Sequence, residues 1–219
     1  MYEKFIFICS YGRTGSTLLK NIISTIPDSH ISGENGNSLY FLFQSFYQIE
    51  KFKIAFKKDN VESIFDEDQA FAYLNKVDTK KYQQELWQVF LNNVIIPKEN
   101  SRVIGFKEIR ALHDEKNLSA FINFMLTIAK DAKILFTTRN DEQVMNSAWW
   151  AKDINAKEKL VHYRNLIEYH HNQNKDKTYI CHYNTYLNNF EETKKIFDFL
   201  EEDMDYEKIQ TVINKKTYS

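Results

Sequence analysis

Phe5-Ile6-Phe7-Ile8-Cys9 runs into Ser10-Tyr11-Gly12-Arg13-Thr14-Gly15-Ser16-Thr17, and then into Leu18-Leu19-Lys20-Asn21-Ile22-Ile23 before Pro27. The first five residues are a short apolar run, as a fully buried parallel strand requires. The last six carry apolar residues at helical spacing, and Pro27 stops them. The turn between them holds two glycines, one arginine and four serine or threonine residues. A strand feeding such a turn into a helix makes an anion cradle. Glycine lets backbone approach the ligand, and the helix start presents unpaired N–H groups in a field that favours negative charge. The loop is not a Walker A motif, which needs four residues between its first Gly and a Gly-Lys-Ser/Thr end. Here two residues separate Gly12 from Gly15, and Ser16 stands where the lysine belongs. Cys9 and Arg13 are also too close together for a cysteine-phosphatase loop.

Working outward, the chain has 219 residues, 43% of them hydrophobic and 15% aromatic, enough for one α/β domain with a real core. The net charge of −1 supplies no global basic field, so no nucleic-acid partner is expected and any anion site is local. Cys9 and Cys181 make no disulfide framework and read as small buried hydrophobes in strands. No metal-ligand spacing occurs among the six histidines, so no metal is expected. No stretch approaches the roughly 20 apolar residues of a membrane helix, and no secretory leader is read before Ser10. The expectation is a cytoplasmic protein, with the oligomeric state left open. The five glycines, Gly12, Gly15, Gly33, Gly36 and Gly105, all fall within or just after predicted strands. Ligands of open α/β sheets bind outside the carboxyl ends of the strands.

Strand and helix signals alternate along the chain. Ser29 to Ser32 is a second strand, ending in Gly33-Glu34-Asn35-Gly36-Asn37. An aromatic-rich helix with Tyr40, Phe41, Phe43, Phe46, Tyr47 and Phe52 follows. Another helix starts at Asp78, with Tyr82, Leu86, Val89, Phe90 and Val94 on one face, and ends before Pro97. Residues 37–97 therefore read as a helical insertion within a single domain. Arg102 to Phe106 is a third strand, followed by Lys107-Glu108-Ile109-Arg110, and Lys133 to Thr138 a fourth. A helix from Arg139-Asn140-Asp141-Glu142 is expected to carry Val144, Ser147 and Trp150. After a long helix at about 154–174, Thr178 to Tyr183 is the fifth strand. Helices at Phe190 to Leu200 and about 205–213 close the chain.

Arg139 stands at the end of the fourth strand, with Ser147 eight residues on. An arginine there can grip a phosphate bidentately, and a serine in the adjoining helix can donate to the same group. The chain resembles the carbohydrate-type sulfotransferases that use 3′-phosphoadenosine 5′-phosphosulfate (PAPS). Tyr11-Gly12-Arg13-Thr14-Gly15-Ser16-Thr17 fits their 5′-phosphosulfate loop. Arg139-Asn140-Asp141 with Ser147 fits their 3′-phosphate pair, with Asp141 in place of a common proline. Tyr183-Asn184-Thr185-Tyr186-Leu187 is similar to their last-strand turn, which makes Tyr183 an adenine contact. Leu18 replaces their frequent tryptophan, so half of the adenine sandwich has no counterpart here.

The resemblance implies a three-layer α/β sandwich, with a mostly parallel five-stranded sheet like that of P-loop nucleoside triphosphate hydrolases. It also implies transfer of a sulfuryl group to a hydroxyl, without a metal. Arg13 takes the place of the charge-neutralising loop residue, and Lys107 that of a lysine near the sulfonate. Glu34 occupies the position of the general base in many carbohydrate-acting members. Glu108 is the rival base and His113 a third candidate. The acceptor implied is a hydroxyl of a glycan or glycolipid, with Trp149, Trp150 and the Tyr40 helix as possible sugar platforms. Two other readings stay open: an ATP-dependent small-molecule or nucleotide kinase on a related fold, and a non-catalytic nucleotide-binding protein. The tail Lys215-Lys216 is read either as folding over the nucleotide or as disordered.

Overall fold

A computed structural model of the chain describes residues 2–58 and 61–215; Lys216 lies outside them. The residues divide into two compact units, Met1–Asn37 with Pro97–Ser219, and Ser38–Ile96.

The larger unit is built on five strands, β1 Lys4–Cys9, β2 Ser29–Ser32, β3 Val103–Glu108, β4 Ala132–Thr138 and β5 Thr178–His182. Their order is β2-β3-β1-β4-β5, and every pairing is parallel. The expected five-stranded α/β sheet is thus present and wholly parallel. Helices α1 Ser16–Ile23, α8 Phe190–Leu200 and α9 Tyr206–Asn214 cover one face. Ile6 and Ile8 point into that layer, against Leu19, Ile22, Ile196, Phe197 and Ile209. Phe5 and Phe7 alternate to the other face, where the Phe7 ring meets Phe106 edge-on at 5.4 Å. Helices α4 Glu115–Ile128 and α6 Ala156–Gln173 pack there on β4 and β5. The chain passes from β1 out to β2, returns through β3, and continues on the far side of β1 to β4. Right-handed crossovers then place α1 and α4 on opposite faces. The reversal of direction opens a crevice at the carboxyl end of β1. Gly105 lies opposite Ile6 in that central ladder, and a Cβ on it would stand 2.0 Å from the Ile6 carbonyl oxygen.

Several boundaries differ from expectation. Strand β3 runs on through Lys107 and Glu108 because both continue the ladder, opposite Ile8 and Cys9. The helix after β4, α5 Asp141–Met145, is only five residues long. Ser147 is extended and Ala148 left-handed (φ 50°), which breaks the helix before a short 3-10 turn, Ala148–Lys152. Strand β5 ends at His182, and Tyr183 opens a one-turn helix, α7 Tyr183–Tyr186.

The smaller unit contains α2 Ser38–Lys58 and α3 Thr79–Phe90. Tyr40, Phe43 and Phe46 of α2 are buried, whereas Phe41 and Phe52 are exposed. The Phe56 ring lies 4.9 Å from that of Phe71. Asp78 caps α3, accepting from the Lys80 and Lys81 N–H groups. The inner face of α3 centres on Trp87 and Phe90, and Val89 faces outward. Tyr82, Leu86 and Phe90 keep strict i, i+4 spacing, and Val89 falls off that line.

At the amino end of the sheet, Glu202 ties the first strand to the lead-in of the third. Its carboxylate, 5% exposed, is 3.2 Å from Lys4 Nζ and 2.5 Å from Arg102 Nη2. Burial opposes its ionisation, but hydrogen bonds from Arg102 and Lys4 outweigh that and hold its pKa below the ordinary 4.5. A depressed carboxylate stabilises the fold above its unfolded pKa, and the contribution fades as pH falls through the folded one. Glu202→Gln is therefore expected to cost about 1–3 kcal/mol at pH 7, and much less at pH 3. Urea unfolding at the two pH values measures this; an equal loss at both would contradict the ion-pair account.

Candidate active site

The loop after β1 wraps tightly because three of its residues are left-handed, Gly12 (φ 84°), Arg13 (φ 60°) and Gly15 (φ 80°). Gly15 precedes α1, and no side chain among the described residues caps that helix start. Its first N–H groups stay available to an anion. Only glycine fits at position 15: a Cβ would lie 2.0 Å from the Tyr183 ring. Thr14 is buried, and its hydroxyl sits 2.5 Å from those of both Ser10 and Thr137. Ser10 Oγ also accepts from the Gly12 N–H at 3.2 Å. The Thr14 side chain therefore fixes the loop to β4 rather than facing the crevice. The Tyr186 hydroxyl donates to the Gly15 carbonyl at 3.3 Å. Beside the loop, burial pushes the Cys9 thiol pKa far up, so Cys9 stays a neutral packing residue.

The β4 segment meets the loop from the other side. Arg13 Nε donates to Ser147 Oγ at 2.8 Å. Arg139 Nη1 donates to the Arg13 carbonyl at 3.4 Å, and its Nε to Gln143 Oε1 at 2.9 Å. The Arg139 guanidinium stacks over the Tyr183 ring, 4.4 Å from its centroid. Arg13, Arg139, Ser147 and Tyr183 are thus assembled into one cluster, although Ser147 arrives from an extended segment rather than from a helix.

A second cluster lies at the carboxyl ends of β2 and β3. Glu34 accepts from Lys107 Nζ through Oε1, and its Oε2 is 3.2 Å from Arg110 Nη1. The Glu34 side chain is 32% exposed. Glu108 is placed differently. Its carboxylate is 1% exposed and accepts from backbone N–H groups of Asn35, Asn37 and Arg110.

Both clusters border one cavity of about 850 Å³. Gly12, Arg13, Gly15, Ser16, Thr17, Arg139 and Tyr183 line it, together with Glu34 and Lys107. Tyr11 closes the floor, stacked on Tyr163 at 5.6 Å and edge-on to Trp150 at 6.3 Å. Burial pushes the Tyr11 hydroxyl up to about 12. Trp149 lies against Gly12 with half of its surface open. His113 also lines the cavity; burial, then the Arg110 charge, lowers its pKa, so the imidazole is neutral at pH 7.

Sequence reasoning missed Arg110, Asp153, Lys159 and Tyr163 on this wall. Arg110 follows Lys107 by three residues and was legible as a strand-end cation. Tyr163 sits within α6 without any local motif, and only the packing of that helix brings it to the cavity.

A model of the sulfotransferase family matches residues 6–206. Among solved structures, the sulfotransferase domain of the olefin synthase from Synechococcus PCC 7002 is similar, with a TM-score of 0.54 and 16% identity. The match covers 100% of this chain and 79% of that one, and at such identity it shows the shared fold. No curated protein matches the chain. A model spanning nearly all of the strand-loop-helix frame, together with that shared fold, makes this chain a member of the sulfotransferase family.

Proposed function

We propose that the protein transfers the sulfuryl group of PAPS to a hydroxyl of a glycan or glycolipid. The observation that carries this reading is the 2.8 Å bond between Arg13 and Ser147. It joins the 5′-phosphosulfate loop to the segment that fits a 3′-phosphate, leaving two cationic poles on one cavity wall. A nucleotide with phosphates at both ends matches them; a 5′-triphosphate uses only one.

In the proposed reaction the acceptor oxygen attacks sulfur in line. The bond from sulfur to the bridging phosphate oxygen breaks, and its electrons stay on that oxygen as 3′-phosphoadenosine 5′-phosphate forms. Catalysis of this kind rests on positioning and charge stabilisation. Arg13 and the N–H groups at the start of α1 meet the charge growing on the bridging oxygen; removing such a donor costs on the order of 10²–10³ in rate. Lys107 faces the sulfonate. Glu34 accepts the acceptor's proton, a contribution of about 10²–10⁴. A carbohydrate acceptor is favoured by the part of the wall beside the loop. There Trp149 and Tyr163 offer aromatic surface, and Asp153 and Lys159 neutralise each other at 2.7 Å. The 3′-phosphate is assigned to Arg139 and Ser147, the adenine to Tyr183, and the 5′-phosphate to Ser16 and Thr17.

Two substitutions separate these roles. Glu34→Gln is expected to lower transfer of labelled sulfate from PAPS to a glycan library by at least about 10²-fold. Its affinity for 3′-phosphoadenosine 5′-phosphate should stay as in the wild type, and turnover within a few-fold of wild type would remove Glu34 from the role of base. Arg139→Ala loses a charge-assisted pair of about 1.5–3 kcal/mol, so calorimetry should show the same nucleotide bound roughly 10–150-fold more weakly. Unchanged affinity would break the 3′-phosphate assignment.

A further inference from the structure

Glu108 is the most deeply buried carboxylate beside the cavity, and the chemistry above leaves it without a task. A carboxylate at 1% exposure needs strong partners, and this one has them in backbone. Oε2 accepts from the Asn35 N–H at 3.2 Å and the Asn37 N–H at 2.8 Å. Oε1 accepts from the Arg110 N–H at 3.1 Å and lies 3.4 Å from the Arg110 guanidinium. The loop held in this way has no regular structure of its own. Gly36 (φ 67°) and Asn37 (φ 61°) are left-handed, and the Asn37 side chain adds one bond to the Arg110 carbonyl at 3.2 Å. Glu34 sits at the head of this loop. The same residue reaches the other loop through its backbone, since the Glu108 carbonyl accepts from the Ser10 N–H at 3.2 Å.

We propose that Glu108 is a positioning residue: its carboxylate clamps the Asn35–Asn37 backbone onto the end of β3 and so fixes Glu34 relative to the phosphosulfate loop. This rests on the reading of Glu34 as the base. The geometry favours a clamp over a second base because the carboxylate spends its oxygens on backbone donors, away from an acceptor. Lys107 alternates to the opposite side of β3 from Glu108, as neighbouring strand residues must. One short segment thus supplies both a cation for the Glu34 carboxylate and an anion for the backbone on either side of it. Arg110 closes the ring by touching both carboxylates.

The test compares wild type, Glu108→Gln and Glu108→Asp; the shorter carboxylate serves if the amide variant fails to fold. Hydrogen exchange needs no acceptor and reads the clamp directly. The Asn35 and Asn37 amides should exchange at least tenfold faster in either variant, with the amides of β1 and β4 unchanged. On the best-labelled glycan of the library, kcat should fall about 10–100-fold, with KM for PAPS within about twofold. The acid limb of the kcat–pH profile should remain, because Glu34 is still present. Unchanged exchange at Asn35 and Asn37, or unchanged kcat, would overturn the proposal. Loss of the acid limb in Glu108→Gln would make Glu108 the base itself. Failure of the underlying reading shows separately, as full turnover in Glu34→Gln or as no labelled glycan with the wild type; amide exchange then decides the clamp alone.

Discussion

The contact between Gly15 and the Tyr183 ring constrains everything else at this site. No side chain fits between them, since a Cβ would come within 2.0 Å of the ring. Because the chain can pass there, the first loop lies flat against the start of α7. Arg13 then turns toward Ser147, and Arg139 stacks on the ring of the same tyrosine. The loop is held from beneath by hydroxyl groups: Thr14 bridges Ser10 and Thr137 deep in the strand ends. Left-handed residues cost backbone energy unless their surroundings impose them, and here packing above and hydrogen bonds below impose them.

The cavity separates two kinds of electrostatics. On the β4 side, the Arg13 and Arg139 side chains bond neutral oxygens, of Ser147, the Arg13 carbonyl and Gln143, as the proposed phosphate-binding role requires. On the β2–β3 side, the cations Lys107 and Arg110 are matched by Glu34 and Glu108. An anion entering the first side gains attraction without displacing a carboxylate. Family membership sets the class of chemistry, and the proposed reading assigns the donor half of the transfer to the first side and the acceptor half to the second.

Much of the frame was legible in the sequence because its signals are local. The run Phe5 to Cys9, the glycine turn and the helix to Ile23 follow directly from periodicity, and the bounds of β2 and α8 were read as they stand. Local signals failed where tertiary contacts decide. Lys107 and Glu108 are charged and looked like loop residues, but pairing with Ile8 and Cys9 keeps them in the strand. By spacing Ser147 belongs to a helix, which the left-handed Ala148 and the extended backbone before it interrupt. Its place near a strand end makes Glu108 a rival base by sequence. Its backbone partners, more than seventy residues away in two of three cases, carry no mark in the sequence. The spacing of Arg139 and Ser147 pointed to one ligand-binding cluster, and the bond from Arg13 to Ser147 is the link that spacing alone could not supply.

The central claim is that the two cationic poles select a nucleotide phosphorylated at both the 3′ and the 5′ positions. Thermal unfolding with 3′-phosphoadenosine 5′-phosphate, set beside ATP–magnesium, tests it most directly. At about 100 times its dissociation constant a ligand of the folded state adds about 2.7 kcal/mol, or roughly 5–10 °C for a chain of this size. The account predicts that shift with the bisphosphate and little or none with ATP–magnesium. Stabilisation by ATP–magnesium alone would contradict it and would make the loop a triphosphate site.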